Sequence, residues 1–217
     1  KAKKYILPLI SAREFLNRKN RWCLWLESIE PKDLKSMPFV LERVKAVKAF
    51  RMASKAPSTQ KHAATPTLFR DRNRPNTFIV VPRVSSENRK YIPMGFFGYE
   101  SIVSDTCMSI PNGTLYNFGV LMSEMHMAWV KYTCGRLKSD FRYSKDLVYN
   151  NYPWPKEVSN KNKKAVETKA QNVLDIRAEF PESSLADLYD PLTMPPKLVK
   201  AHQALDKAVD LCYRPQA

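Results

Sequence analysis

Glycine is scarce in this chain, with five in 217 residues. Folds that cradle phosphates on tight glycine turns need several in order, and neither G-x-G-x-x-G nor G-x-x-x-x-G-K-[ST] occurs. Cysteine is sparse and dispersed: Cys23, Cys107, Cys134 and Cys212 form no C-x-x-C. The three histidines, His62, His126 and His202, also stand far apart, so no zinc or other metal site is predicted. The expectation is reduced, mostly buried thiols in a cytoplasmic protein. G-x-S-x-G and H-E-x-x-H are missing and the carboxylates are scattered, so no catalytic residues are assigned. No apolar run approaches the length of a bilayer span, which argues against a membrane partner. The opening KAKKYILPLI has neither the sustained apolar stretch nor the small-residue cleavage site of a signal peptide. It does not begin with Met, and the expectation is an excised fragment.

Negative charge is also in short supply. Lys and Arg number 36 against 21 Asp and Glu, a net of +15. Residues 161–217 hold nine basic and eight acidic residues, a net of +1, so the first 160 residues carry +14. A polyanionic partner follows naturally from that excess, with a basic solvated surface as the alternative. An anionic membrane fits less well, because the basic residues are not gathered on one amphipathic helix.

What is present reads as α+β, a mixed sheet with a long packed helix followed by a helical hairpin. WCLWL (22–26) is a short strand. PFVLERVKAVKAF (38–50) has helical spacing at Phe39, Val40, Val44, Val47 and Phe50, with Pro38 in its first turn. Residues 54–77 read as irregular. TFIVVPR (77–83), KYIPMGFF (90–97) and SIVSDTCMSI (101–110) read as strands. In the last, Ile102, Ser104, Thr106 and Met108 share a face opposite Val103, Asp105, Cys107 and Ser109. One long helix is expected over 113–137, with a stripe of Leu115, Phe118, Leu121, Met122, Met125, Ala128 and Trp129, and with Gly135 at its end. His126 beside that stripe reads as a hydrogen-bonded packing residue. Two amphipathic helices, 160–180 and 196–213, complete the chain across a proline-bounded connection, and Cys212 falls on the buried side.

One stretch imitates a catalytic motif. NNYPWP (150–155) approaches the N-P-P-Y signature of amino-methylating DNA methyltransferases, but proline is missing at its second position and the aromatic precedes the proline. No glycine-containing cofactor motif lies on an earlier strand. The expectation is therefore that Tyr149 and Trp154 pack, with Pro153 and Pro155 ending regular structure.

Three blocks carry a family resemblance: RVSSENRKYIPMGFF (83–97), the run from SDTCMSIPNG to YNNYPWP (104–155), and FPESSLADLYDPLTMPPKLVKAHQALDKAVD (180–210). They resemble the C-terminal part of MmeI-like type IIL restriction–modification enzymes, single chains with nuclease, adenine-methyltransferase, target recognition and C-terminal helical parts. The resemblance covers essentially the whole chain. It implies a target recognition domain over residues 1–156 and a C-terminal helical segment over 157–217, with the methyltransferase and nuclease domains elsewhere in the same parent chain. The partner implied is double-stranded DNA. No cofactor is implied for this segment; the parent enzyme would use S-adenosylmethionine, and a divalent metal for cleavage.

The resemblance also implies base-reading positions at Arg83, at Asp105 and Thr106, and at Lys138, Asp140 and Arg142. The chain has one residue fewer between Ser86 and Arg89 than the family pattern. Lys138 offers donors to guanine, and Asp140 accepts from the amino group of the paired cytosine. The expected geometry is an extended segment with Lys138, Asp140 and Arg142 on one side; the alternative is an exposed salt-bridged ladder of little energetic worth. Ser85, Ser86, Arg89, Lys90, Lys131, Arg136 and Lys145 are the candidates for holding phosphates. Arg70, Arg72 and Arg74 form a loop that either does the same or is simply solvated. Two other functional classes compete: a nucleic-acid binder without sequence preference, which needs stacking aromatics beside a basic groove, and a structural docking domain.

Overall fold

A computed structural model describes residues 1–214. In chain order the elements are β1 (Ile6–Ile10), α1 (Ala12–Asn17), β2 (Trp22–Leu24), α2 (Pro31–Lys35), α3 (Pro38–Met52), α4 (Pro57–Lys61), β3 (Thr77–Pro82), β4 (Val84–Ser85), β5 (Gly95–Gly98), β6 (Ile102–Val103), β7 (Cys107–Pro111), α5 (Leu115–Leu121), α6 (Glu124–Thr133), β8 (Gly135–Leu137), β9 (Asp140–Arg142), α7 (Asn160–Ala178), α8 (Leu185–Leu188) and α9 (Pro196–Tyr213). The fold is α+β. The chain divides into two compact units, residues 1–9 with 21–74, and residues 10–20 with 75 onward.

The first unit has a small core of Tyr5, Leu26, Met37, Val40 and Val44. β1 and β2 pair antiparallel, Ile6 opposite Leu24 and Pro8 opposite Trp22. Pro38 starts α3, where its missing N–H costs nothing. Only Val40 and Val44 of the expected apolar stripe are buried. Phe39 and Phe50 are 81% and 76% exposed. A spacing of three and four admits two neighbouring faces of one helix, and those two aromatics lie on the other one. Residues 54–77 are less irregular than expected, holding α4 and a 3₁₀ turn at His62–Ala64. The Arg51 guanidinium donates to the carbonyls of His62 in that turn and of Thr65 and Leu68 beyond it, each at 2.9 Å, and so satisfies backbone that has no ladder.

The second unit is centred on β3, the middle of an antiparallel sheet in the order β5-β3-β7. Ile79 and Val81 enter the large core with Phe118, Leu121, Val166, Val173, Leu198 and Leu205. Phe78 and Val80 point the other way and pack with Phe15 and Leu16 of α1. Burial on both faces is why FIVVP (78–82) is apolar throughout instead of alternating. In KYIPMGFF the strand begins only at Gly95; Tyr91, Ile92 and Met94 are buried in irregular chain. SIVSDTCMSI is also interrupted. A turn at Asp105 and Thr106 separates β6 from β7, and the expected single alternation breaks there.

The long helix expected over 113–137 is two helices. Ser123 ends one and starts the other: its hydroxyl donates to the Val120 carbonyl at 2.7 Å and accepts from the His126 amide at 3.2 Å, an N-cap for α6. The break resets the helical phase, so His126, Met127 and Val130 face the core while Met125 and Ala128 are exposed. Gly135 does not end a helix; it opens β8 without a left-handed φ. α7 and α9 lie where expected and bury Val166, Ala170, Val173 and Ile176 from one, and Leu198, Leu205, Val209 and Cys212 from the other. All four cysteines are free; Cys107 and Cys212 are buried, Cys23 and Cys134 half-buried. Burial pushes the Cys107 thiol up to about 12.

Gly119 sits inside α5, where glycine costs about 1 kcal/mol against alanine. Packing explains it. A Cβ there would lie 2.6 Å from Val166 Cγ1 and 3.3 Å from Leu205 Cδ1. Gly119→Val is expected to destabilise the second unit by about 1–3 kcal/mol through overpacking. A urea midpoint equal to or above that of the unaltered chain would refute this.

After β9 the chain makes a single π-helical turn at Lys145–Tyr149 and then NNYPWP. Tyr149 and Tyr152 both meet Trp154 edge-on, at 6.2 and 5.3 Å between centroids. Tyr213 of α9 donates to the Tyr152 hydroxyl at 2.7 Å and also bonds the Pro153 carbonyl. The segment that resembles a methylation motif is a packed aromatic joint.

Candidate nucleic-acid interface

Three segments distant in sequence meet in the second unit, and Arg83 joins them. Its amide donates to the Thr106 carbonyl at 3.0 Å, and its carbonyl accepts from the Tyr143 amide at 2.8 Å. Just beyond, β4 pairs with β9, Val84 opposite Arg142 and Ser85 opposite Phe141. β8 completes a three-stranded sheet in the order β4-β9-β8. The structure thus brings Arg83, Thr106, Asp140 and Arg142 into one neighbourhood, with Lys138 at the end of the hairpin.

Alternation sets the directions. Phe141 and Tyr143 are 2% and 1% exposed and face the core. Asp140 and Arg142 therefore share the opposite face of β9; Arg142 is exposed and Asp140 half-buried. Lys138 differs from the expectation of one extended segment. It is the first residue of the two-residue turn between Leu137 and Asp140, with φ of 56°. Tight hairpin turns demand that sign of φ and usually recruit glycine or asparagine. For an L side chain the left-handed region costs about 1–2 kcal/mol.

The turn is braced from within. Arg136 donates to the Ser139 carbonyl at 2.8 Å, and its guanidinium lies 4.2 Å from the Phe141 ring centroid. Glu87 approaches the same guanidinium at 3.9 Å. Arg136, nominated for phosphate, thus spends much of its hydrogen-bonding fork holding the loop that presents Lys138. Two apolar groups in this stretch of chain are exposed, Leu137 beside the turn at 52% and Tyr132 in the last turn of α6 at 91%. Sequence reasoning missed both, because each falls in a window that reads as ordinary helix or strand.

The hairpin is anchored beneath by His126. Its Nδ1–H donates to the Leu121 carbonyl at 2.7 Å, and Nε2 accepts from the Tyr143 hydroxyl at 3.1 Å. Full burial lowers this imidazole to about 4, so it stays neutral and supportive.

The remaining candidates divide. Asp105 and Thr106 are exposed in the β6–β7 turn. The Thr106 hydroxyl accepts from the Ala12 amide at 3.0 Å and lies 2.9 Å from the Ser104 hydroxyl, so much of its capacity is used locally. Ser85 is a correction. It is 2% exposed on the inward side of β4, and a hydroxyl shielded in this way does not reach a phosphate. Ser86 accepts from the Asn88 amide at 3.3 Å. Arg89 is half-buried; burial lowers its pKa, and the carboxylates of Asp190 and Asp140 offset this. Lys90 pairs with Glu124 at 3.1 Å. Lys131 and Lys145 are exposed, Lys131 in the last turn of α6, where the helix dipole also favours a cation. In the first unit, Arg70 pairs with Asp71, Arg72 with Glu27, and Arg74 lies over Trp25 at 5.1 Å. Among the described residues no group of three or more His, Cys, Asp or Glu is placed to hold a metal ion, and no helix is long and apolar enough to cross a membrane.

A solved structure, that of the type IIL restriction–modification enzyme MmeI in complex with DNA, superposes on this chain with a TM-score of 0.96 at 42% identity, covering 100% of this chain and 29% of that one. The class defined is a target recognition domain carrying a C-terminal helical extension. The chain belongs to the MmeI family: residues 1–156 match the family described as MmeI, target recognition domain, and residues 158–217 match MmeI, C-terminal domain. A curated relative, DNA methyltransferase A of Bacillus subtilis (strain 168), is 44% identical over 211 residues, which are 97% of this chain and 24% of the relative. The chain thus spans about a quarter of the relatives it matches.

Proposed function

We propose that this chain is the part of a restriction–modification protein that reads a short sequence in double-stranded DNA, with residues 1–156 as the recognition domain and 157–217 as its helical extension. The observation that carries this reading is the convergence of Arg83, the Asp105–Thr106 turn and the β8–β9 hairpin in one neighbourhood. There, Asp140 and Arg142 leave the core on a common face, and Lys138 stands in a braced turn. Lys138 and Asp140 supply a donor and an acceptor two residues apart, the pair needed to tell one orientation of a G·C pair from the other in the major groove. The strained φ of Lys138 supports the same reading, since backbone strain that glycine would relieve tends to persist where a side chain is needed. Arg142 and Arg83 would read neighbouring purines, Asp105 and Thr106 an adjacent pair. Ser86, Arg89, Lys90, Lys131 and Lys145 are the remaining phosphate contacts, and Arg136 holds the hairpin.

The parent protein would be cytoplasmic and would methylate adenine with S-adenosylmethionine, the base leaving the stack to be reached. The methyltransferase and nuclease parts of the same chain would hold that cofactor and the divalent metal.

Selection from a pool of random duplexes tests the reading. The chain is expected to enrich one short asymmetric sequence over the pool by at least about 10³-fold, the lower range of specific over non-specific binding. Retention of duplexes with no common sequence would refute it.

A further inference from the structure

Every base-reading and phosphate candidate above, the arginine loop aside, lies in the second unit, yet most of the charge does not. The first unit has 63 residues with 15 Lys and Arg against five Asp and Glu, a net of +10; the other 154 residues hold 21 against 16, a net of +5. The density is highest in residues 31–61, which span α2, α3 and α4 and hold eight basic and two acidic residues. Lys32, Lys35, Arg43, Lys45, Lys48 and Lys61 are all exposed there. None of the six stands in an ion pair among the described residues.

Such a body repels itself. Only seven of its apolar residues are buried, five of them in one cluster, and α3, 15 residues long, contributes only Val40 and Val44. Positive charge concentrated on so small a core destabilises the compact state unless counter-ions gather. A polyanion supplies them, and releasing condensed ions from it adds a favourable, salt-dependent free energy. The layer is also chemically one-sided. Reading a base pair takes donors and acceptors together, as Lys138 and Asp140 would provide; the charged groups of α2 to α4 are donors apart from Asp33 and Glu42. Donors alone suit phosphate oxygens.

We infer that the helical layer α2–α4 of the first unit is a second DNA-contacting surface, one that grips phosphates and reads no bases. This rests on the reading that the chain binds duplex DNA. Helix α3 also exposes Phe39 and Phe50, which a protein partner would cover, and the test separates the two occupants.

The triple variant Arg43→Ala, Lys45→Ala, Lys48→Ala keeps α3 helical, since alanine is the best helix former and all three positions are exposed. Binding to one duplex that contains the selected sequence and to one that does not is measured from 50 to 200 mM salt. The slope of log affinity against log salt is expected to fall by about 2.7, so that the loss of affinity across that range is about 40-fold smaller. The preference between the duplexes should stay the same. Lys32→Ala with Lys35→Ala on α2 should lower the slope by about 1.8. An unchanged slope in both variants overturns the proposal and leaves the layer to a protein partner, as does a preference that collapses while the slope holds. A slope that falls although the unaltered chain shows no base preference upholds this surface and sinks the base-reading assignment. No duplex binding by the unaltered chain sinks both.

Discussion

Exchanging Lys138 for Glu and Asp140 for Arg is expected to turn a preference for G·C at one position of the bound sequence into a preference for C·G. On the proposed reading, Lys138 would donate toward the two major-groove acceptors of guanine, and Asp140 would accept from the amino group of its cytosine. Replacing them with an acceptor and a donor reverses the polarity of the pair, while Ser139 between them is untouched. Each good contact is worth about 1–3 kcal/mol, so the two together set about 2–6 kcal/mol of discrimination, roughly 30-fold to 10⁴-fold. Affinities for four duplexes that differ only at that pair give the answer. If the double variant keeps the original order, Lys138 and Asp140 do not read that base pair. A companion variant separates base reading from turn shape. Lys138→Gly relieves the φ of 56° and should leave the hairpin as stable or about 1 kcal/mol more so, yet lose the guanine preference.

That pair of residues also marks how far the sequence could be read. The resemblance nominated Lys138, Asp140 and Arg142, and period-two alternation put all three on one side of a strand. Alternation holds for Asp140 and Arg142, which flank buried Phe141. It fails at Lys138, because the hairpin turns there and no glycine or asparagine announces the turn. Two helices whose burial follows one period, α7 and α9, were legible, as was β3, whose continuous apolar run marks burial on both faces. The rest depended on single side-chain contacts. One hydroxyl of Ser123 divides the expected long helix, and three bonds from Arg51 organise a segment without periodicity. Arg136 looked like a phosphate ligand because composition records its charge and not the Ser139 carbonyl it holds. The charge excess was visible from the start. Its concentration in 63 residues was not, since the first unit is discontinuous in sequence and excludes residues 10–20.

The second unit should lose stability in mild acid, from about pH 6.5 downward. His126 is fully buried, and that burial lowers its pKa to about 4. His202 is held well below its ordinary value by burial and then by the nearby Arg177 charge, and its Nε2 lies 2.8 Å from the Tyr189 hydroxyl. In the unfolded chain both take a proton near pH 6.5; in the folded unit they refuse it. Stability is therefore complete above pH 6.5 and falls as pH drops, by about 1.4 kcal/mol per pH unit for each histidine, until the folded values are reached. For His126 the whole effect is about 3 kcal/mol, and at pH 5 about 2 kcal/mol of it is gone. Asp206 acts in the opposite sense. Burial raises its carboxyl despite bonds from the Tyr91 hydroxyl and the Glu124 amide, so its contribution is lost as pH rises past the ordinary carboxylate range. Half-buried Asp33 and exposed Asp187, held low by Lys4 and by Ser184, titrate beneath this window. Hydrogen exchange of the α6 amides at pH 7 and pH 5, corrected for intrinsic rates, measures the difference in the second unit alone. His126→Gln keeps a donor for the Leu121 carbonyl and an acceptor for Tyr143, and should be less stable at pH 7 but with a shallower fall toward pH 5. An equal fall in the variant and the unaltered chain would show that the acid sensitivity lies elsewhere.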